Sequence, residues 1–400
     1  MKNKPISRRT FVQTSAAALA AGMTGASLIP EYLRAGQAIL PEHPYDDNTV
    51  VRIYDPGVFP GTIKQPASAD NDYYWRRLDG QKLRSMLEAA LLQLTGAGNS
   101  VTAWKQILPG LSASSRVAVK VNMNNTDVPR FKDDWMRRLL SSPAMITALA
   151  QSLSGAGAAE SNLTVFDRSR TFPEDFRNDI KAGVKVLGKG QIQDSNLRIG
   201  ISDKGDYSFS VPDCVAEADY LISLHLFKNH AGGVTGCHKN LFGLAENVGT
   251  FAHNPDWTTH SQQRDIILNP AISSRLKLVI SEAVFTSLHG PDFLDLFSKH
   301  DFFPDGKMSS LIVSRSPFHH DAVLYDFMNA EKAEHLDRSI GSDRWLHNCS
   351  NEHGGHPTWS PAVLGSAKIV EAGGKLPAKE LAYDPAVLRF ISKGIGSVTD

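Results

Sequence analysis

Between residues 116 and 167 the chain spells out one strand-helix-strand unit, and that unit restricts the fold more than any other feature. Arg116-Val-Ala-Val-Lys-Val-Asn122 alternates and is rich in β-branched residues. Ser142 then stands as an N-cap before Pro143 and an apolar helical run, Gly155-Ala-Gly157 supplies the stop, and Asn162-Leu-Thr-Val-Phe-Asp167 reads as a second strand. Two strands joined through a helix lie parallel, with a right-handed crossover. Apolar strands recur at Ala218–His225, Leu276–Glu282 and Ser309–Ser314, the last followed by a helix begun at Pro317. The expectation is an α/β fold: a mostly parallel sheet in Rossmann-like layers, with helices on both faces.

In such sheets ligands bind beyond the carboxyl ends of the strands, where loops and helix N-termini converge. The polar residues fall at those ends: Lys120 and Asn122, Asp167, Lys228 and His230, Glu282, and Arg315 with His319, His320 and Asp321. Residues 228–247, KNHAGGVTGCHKNLFGLAEN, are the densest part. Neither a Walker A loop nor Gly-x-Gly-x-x-Gly is present, yet glycines that admit a close neighbour, a helix starting near His238 and the cations Lys228 and Lys239 suit an anion. Cys237, beside a helix start and two lysines, is a candidate for a lowered pKa. Imidazole and thiol ligands also permit a metal, held by His230, Cys237 and His238, although no His-Glu-x-x-His or Cys-x-x-Cys spacing fixes two ligands on one face. No Gly-x-Ser-x-Gly nucleophile elbow occurs.

Val119-Lys120-Val121-Asn122, Ser142-Pro143, Lys228-Asn229-His230, Lys239-Asn240-Leu241-Phe242-Gly243 and the segment from Ser316-Pro317 to Asp321-Ala322 together resemble a bacterial and archaeal family known as domain of unknown function 362. The resemblance spans residues 115–345, and the Lys-Asn-Leu-Phe-Gly run is its most specific part. Ser316 departs from the aspartate usual before the proline, and His319-His320 replace small and aliphatic residues. Some relatives carry ferredoxin-type cysteine clusters. The resemblance implies the fold and the position of the site more firmly than a reaction.

This chain has three cysteines, Cys214, Cys237 and Cys349, without the spacing of an iron-sulfur ligand run. Lysine plus arginine equals aspartate plus glutamate at 42 each, so no basic field points to nucleic acid. Ser7-Arg8-Arg9-Thr10-Phe11, followed by an uncharged, weakly apolar run to Pro30, resembles a twin-arginine export signal and is too poor in large apolar residues for a permanent span.

The expected organisation is therefore a twin-arginine signal at 1–38, a lead-in at 39–114 carrying a helix over 81–94, an α/β domain at 115–345 and a C-terminal extension at 346–400 packed on it. The expected protein is periplasmic or otherwise exported, handled by the twin-arginine machinery, and binds a small anionic ligand or cofactor. Lys120, Asn122, Lys228, Lys239 and Asn240 would hold the anion, His230 would serve as acid or base, and Asp167 and Asp321 would orient. The alternative is a non-catalytic metal or ligand carrier using the 230–238 cluster.

Overall fold

A computed structural model of the chain describes residues 45–61, 73–123, 140–201, 208–245, 262–287, 306–335, 363–372 and 379–395, apart from positions 46, 231, 232 and 364, together with Thr126. All of them belong to the unit Ile39–Asp400. The expected export signal, Cys349 and the histidines between 246 and 261 lie outside the described residues.

In chain order the strands are β1 (Thr49–Tyr54), β2 (Val117–Lys120), β3 (Leu163–Phe166), β4 (Lys185–Leu187), β5 (Asp194–Gly200), β6 (Ser208–Pro212), β7 (Tyr220–Leu226), β8 (Lys228–His230), β9 (Gly233–Thr235), β10 (Leu276–Ala283), β11 (Ser310–Ser314), β12 (Lys368–Glu371), β13 (Lys379–Ala382) and β14 (Arg389–Gly394). The α-helices are α1 (Gly80–Thr95), α2 (Ser100–Ile107), α3 (Pro143–Gly155), α4 (Glu174–Asp179), α5 (Asp213–Ala216), α6 (Cys237–Leu241), α7 (Gln262–Leu268), α8 (Pro270–Ser273) and α9 (Pro317–His335). Eight strands form one sheet in the spatial order β14-β1-β11-β10-β7-β2-β3-β4. Every neighbouring pair is parallel except the two that involve β11. The hairpins β5–β6, β8–β9 and β12–β13 stand apart from it.

Alternation along the central strands builds two cores. Val117, Val119, Ile222, Leu224, Leu278 and Ile280 face one side, where α1, α2 and α3 pack, while Ala118, Leu221, Val279 and Ile312 face the other, under α6, α7 and α9. The helix starts follow the sequence expectations. Ser142 Oγ accepts from Met145 N at 3.0 Å ahead of Pro143, and Asp79 caps α1 through Gln81 N and Lys82 N at 2.9 and 3.0 Å. Such caps contribute about 1 kcal/mol each.

Two expectations need correction. The lead-in and the C-terminal extension are not appendages of a 115–345 domain, because β1 lies between β14 and β11 inside the main sheet. Arg52, fully buried in the middle of β1, ties the two ends together: it donates to Ser310 Oγ at 2.9 Å and pairs with Glu380 at 3.0 Å, which also accepts from Ser392 Oγ at 2.7 Å.

Secondly, β11 runs against its neighbours, so Arg315 leaves the sheet at the end opposite the other strand ends and is exposed there. The chain enters β11 through Ser309, whose left-handed backbone (φ 43) is held by Ser309 N to Val284 O and Asp55 N to Ser309 O, both 3.0 Å.

Candidate functional site

Strand order reverses between β2 and β7. From β2 the chain steps outward through α3 to β3 and then β4, and it returns on the other side of β2 as β7, from which α6, α7 and α8 cover the opposite face before β10. The carboxyl ends of two adjacent parallel strands whose connections part to opposite faces form a crevice. Here its walls are Lys120 and Asn122 after β2, residues 167–170 after β3, Lys228 after β7, and α6.

The rear of this crevice is a closed polar network. Lys120 is 1 % exposed, and its ammonium meets Val121 O at 2.6 Å, Asn240 Oδ1 at 3.3 Å and Asp167 Oδ2 at 3.3 Å. Those three acceptors match its three hydrogens. Burial lowers its pKa and the Asp167 carboxylate opposes that shift. Asp167 also accepts from Met123 N, Ser169 N and Ser169 Oγ at 3.0, 2.9 and 2.8 Å. Asn240 donates to Lys120 O and Ser223 Oγ at 2.9 and 3.0 Å. Lys120, Asp167 and Asn240 therefore bind one another, and the expected direct contact of Lys120 and Asn240 with an anion is corrected accordingly. Gly243 belongs to the same packing: a Cβ there would lie 2.5 Å from Lys120 Nζ.

The start of α6 is likewise filled from within. Asp321 Oδ1 accepts from Cys237 N at 2.8 Å, and Oδ2 from His238 N at 3.0 Å and His238 Nδ1 at 2.8 Å. His320 Nδ1 reaches Oδ1 at 2.9 Å. Burial alone pushes this carboxyl up, but the hydrogen bonds and charges of His238 and His320 prevail and hold it well below the usual carboxylate range. A Cβ at Gly236 would come within 2.2 Å of Asp321 Oδ1, which is why glycine stands there. The anion at this helix start is thus a side chain of the protein. Cys237 is fully buried, and burial followed by the Asp321 charge raises its thiol pKa well above normal, the reverse of the expected reactive thiolate.

Of the expected metal set only Cys237 and His238 have described side chains. His238 is turned onto Asp321, Cys237 is a buried thiol, and the His230 side chain lies outside what is described, its backbone pairing with Gly233 in the β8–β9 hairpin. The described residues instead gather His225, His320 and Asp321, whose ligand atoms lie within 4.8 Å of one another and could hold a metal ion. Each already has protein partners: His225 meets Ser223 Oγ at 3.2 Å and Ser281 Oγ at 2.8 Å, and His320 Nε2 meets Ile312 O at 3.3 Å. Burial and the neighbouring His320 keep His225 neutral. A metal would have to displace these bonds.

In front of the network stand the groups solvent can reach. Four of the five residues of α6 are buried, and the fifth, Lys239, is half-buried with its ammonium 4.9 Å from the Phe242 ring. Among the described residues it has no carboxylate partner. Burial, then the Arg170 guanidinium, lower its pKa to about 8. Half-buried Arg170 and Asn122 complete this layer, and Asn122 Oδ1 accepts from buried Lys228 Nζ at 3.2 Å. Arg170 escaped sequence reasoning because an arginine two residues beyond a strand is ordinary loop chemistry; only the parallel β2–β3 pairing brings it within range of Lys120 and Lys239.

On the opposite face Glu282 ends β10 against the first turn of α3. Its Oε2 accepts from Ser142 N at 2.8 Å, while Oε1 is buried without a partner among the described residues. Burial raises its pKa to about 7 against the Ser142 hydrogen bonds. A raised carboxyl pKa contributes stability that is present below about 4.5 and lost as pH climbs through about 7. Glu282→Gln should remove that part of the pH dependence: relative to wild type it should gain about 3 kcal/mol on going from pH 4 to pH 8. Denaturant titrations at the two pH values measure it, and parallel curves for the two proteins contradict the assignment. Asp326, also raised to about 7 by burial, keeps its own slope in both proteins.

The family model described as Domain of unknown function (DUF362) matches residues 117–326. No curated protein matches the chain. Among solved structures, the lactate racemase apoprotein from Thermoanaerobacterium thermosaccharolyticum is similar at 13% sequence identity and a TM-score of 0.32, over 51% of this chain and 48% of that one. The chain thus spans about half the length of that protein.

Proposed function

The chain belongs to the family described as domain of unknown function 362, and on that footing we propose that it is an exported enzyme that binds a small anionic molecule between the carboxyl ends of β2 and β7. The observation that carries the reading is the pairing of an accessible cationic layer, Lys239 and Arg170, with a closed polar layer behind it at the point where strand order reverses. Lys239 and Arg170 hold the anion, Asn122 with Lys228 orients it, and Lys120, Asp167, Asn240 and Asp321 fix the backbone that presents them. A desolvated lysine beside a second cation is poorly solvated and gains most from an incoming negative charge. The expected proton-transfer role of His230 remains part of the proposal, since it lies two residues after Lys228 in β8.

Calorimetric titration with inorganic phosphate and with glycolate tests the site. Binding of either should weaken at least tenfold in Lys239→Met and in Arg170→Met, which corresponds to about 1.4 kcal/mol. Equal affinity in both variants, or no binding by wild type, removes the reading. Export by the twin-arginine route rests on Arg8-Arg9 ahead of an uncharged run. Replacing both arginines with lysine should leave unprocessed precursor in the cytoplasm, and unchanged export would exclude the route.

A further inference from the structure

We infer that Lys239 is a covalent site: its amine forms a reversible imine with the carbonyl group of a small anionic aldehyde or ketone held beside Arg170. The inference rests on the anion site proposed above and names the class of its ligand.

Three features of the geometry, and the charge of its neighbour, converge on this lysine. Its Cα is immobilised, because α6 is fastened at its first turn by Asp321 through Cys237 N and His238 N, and one residue further by Asn240 on Lys120 O. Its side chain is the part of α6 that solvent reaches. Its ammonium rests near the face of Phe242 rather than on a carboxylate among the described residues. Its charged neighbour is a cation, Arg170. A lysine that serves only to bind an anion works best fully protonated and needs no second cation pressing on it. An amine that must attack a carbonyl carbon needs an uncharged fraction, which desolvation and a like charge provide. The pKa near 8 agrees with this, leaving a useful fraction of free amine at neutral pH. Arg170 would meanwhile bind the carboxylate or phosphate of the same molecule, fixing the carbonyl over the amine.

The step balances without an oxidant or reductant. The neutral amine donates its electron pair to the carbonyl carbon, forming a C–N bond, while the carbonyl oxygen takes up a proton as the nitrogen releases one. The resulting carbinolamine loses its hydroxyl as water with one further proton from solvent, leaving a protonated imine on Lys239. Hydrolysis reverses it. The positive iminium then lies beside Arg170, which favours release unless the bound anion neutralises the pair, so the adduct persists only with a negatively charged partner.

The test uses the full chain with glyoxylate as the smallest anionic aldehyde and sodium cyanoborohydride to trap the imine, read by peptide mass mapping. One adduct should form at Lys239 well before the exposed Lys105 and Lys189 are labelled, its rate should rise between about pH 7 and pH 9, and glycolate, which lacks the carbonyl, should suppress it. Lys239→Arg, which keeps the charge but has no nucleophilic amine, should abolish the adduct, with glycolate affinity measured on the wild type as the readout of the anion site. Labelling of Lys239 no faster than the surface lysines overturns the inference. Should glycolate still bind through Lys239 in that case, the anion site stands and only the imine falls; should glycolate not bind at all, both fall.

Discussion

Asp321→Asn should lose at least about 3 kcal/mol of unfolding free energy, with the denaturation midpoint moving to correspondingly lower denaturant. The substitution is nearly isosteric, so the cost is electrostatic. Wild-type Asp321 accepts from two backbone N–H groups of α6 and from two imidazoles, all at 2.8–3.0 Å and all buried. An asparagine offers one acceptor oxygen. Whichever way its amide turns, an NH2 group faces a backbone N–H, which is left unsatisfied in a site without solvent, and the imidazole on that side must change tautomer to accept from it. Gly236→Ala attacks the same contact from the backbone side, because its methyl would overlap the carboxylate. The two changes should be strongly non-additive when combined. A loss below about 1 kcal/mol for Asp321→Asn would falsify the view that α6 is held by an internal anion.

The second large effect belongs to Lys120. Lys120→Met keeps most of the side chain but leaves Asp167 Oδ2, Asn240 Oδ1 and Val121 O short of a donor, at a cost of about 3–5 kcal/mol. Removing the opposing charge as well, in Lys120→Met with Asp167→Asn, should recover at least about 1 kcal/mol of the sum of the two single losses, because the double variant no longer buries a lone charge. Additive losses would mean that the pair is not coupled. The measurement also bears on the site, since Asn240 and Gly243 pack on Lys120 and set the path of the backbone that carries Lys239.

Much of this architecture is legible in the sequence because it is local. The β2–α3–β3 unit announces itself through Ser142 before Pro143 and through two β-branched runs, and the observed cap is the one those residues prescribe. What is not legible is long-range. Residues 49–54 are a short buried run with an arginine in the middle, and nothing nearby reveals that Arg52 will meet Ser310 and Glu380. The direction of β11 is equally silent, since alternation has the same period either way, and so Arg315 is drawn to the wrong end of the sheet.

The segment around Gly236 shows the limit most clearly. Its glycines do mark a close approach by a negative group, as their placement suggests, but local sequence cannot distinguish a visiting anion from the Asp321 carboxylate. For Cys237 the neighbouring lysines argued for a thiolate, while the carboxylate packed on the same turn and the loss of solvent decide the other way.

The pairing of β14 with β1 has a temporal consequence. Thr49 to Tyr54 lie in register with Arg389 to Gly394, so one side of the sheet cannot be completed until the chain up to Gly394 has left the ribosome. Closing so long a chain segment is entropically costly and topologically slow. A nascent chain threaded outward as it is made would present β1 with no partner on either flank, since β11 also comes from late in the sequence. For the export proposed above, that order favours a route that carries a folded chain.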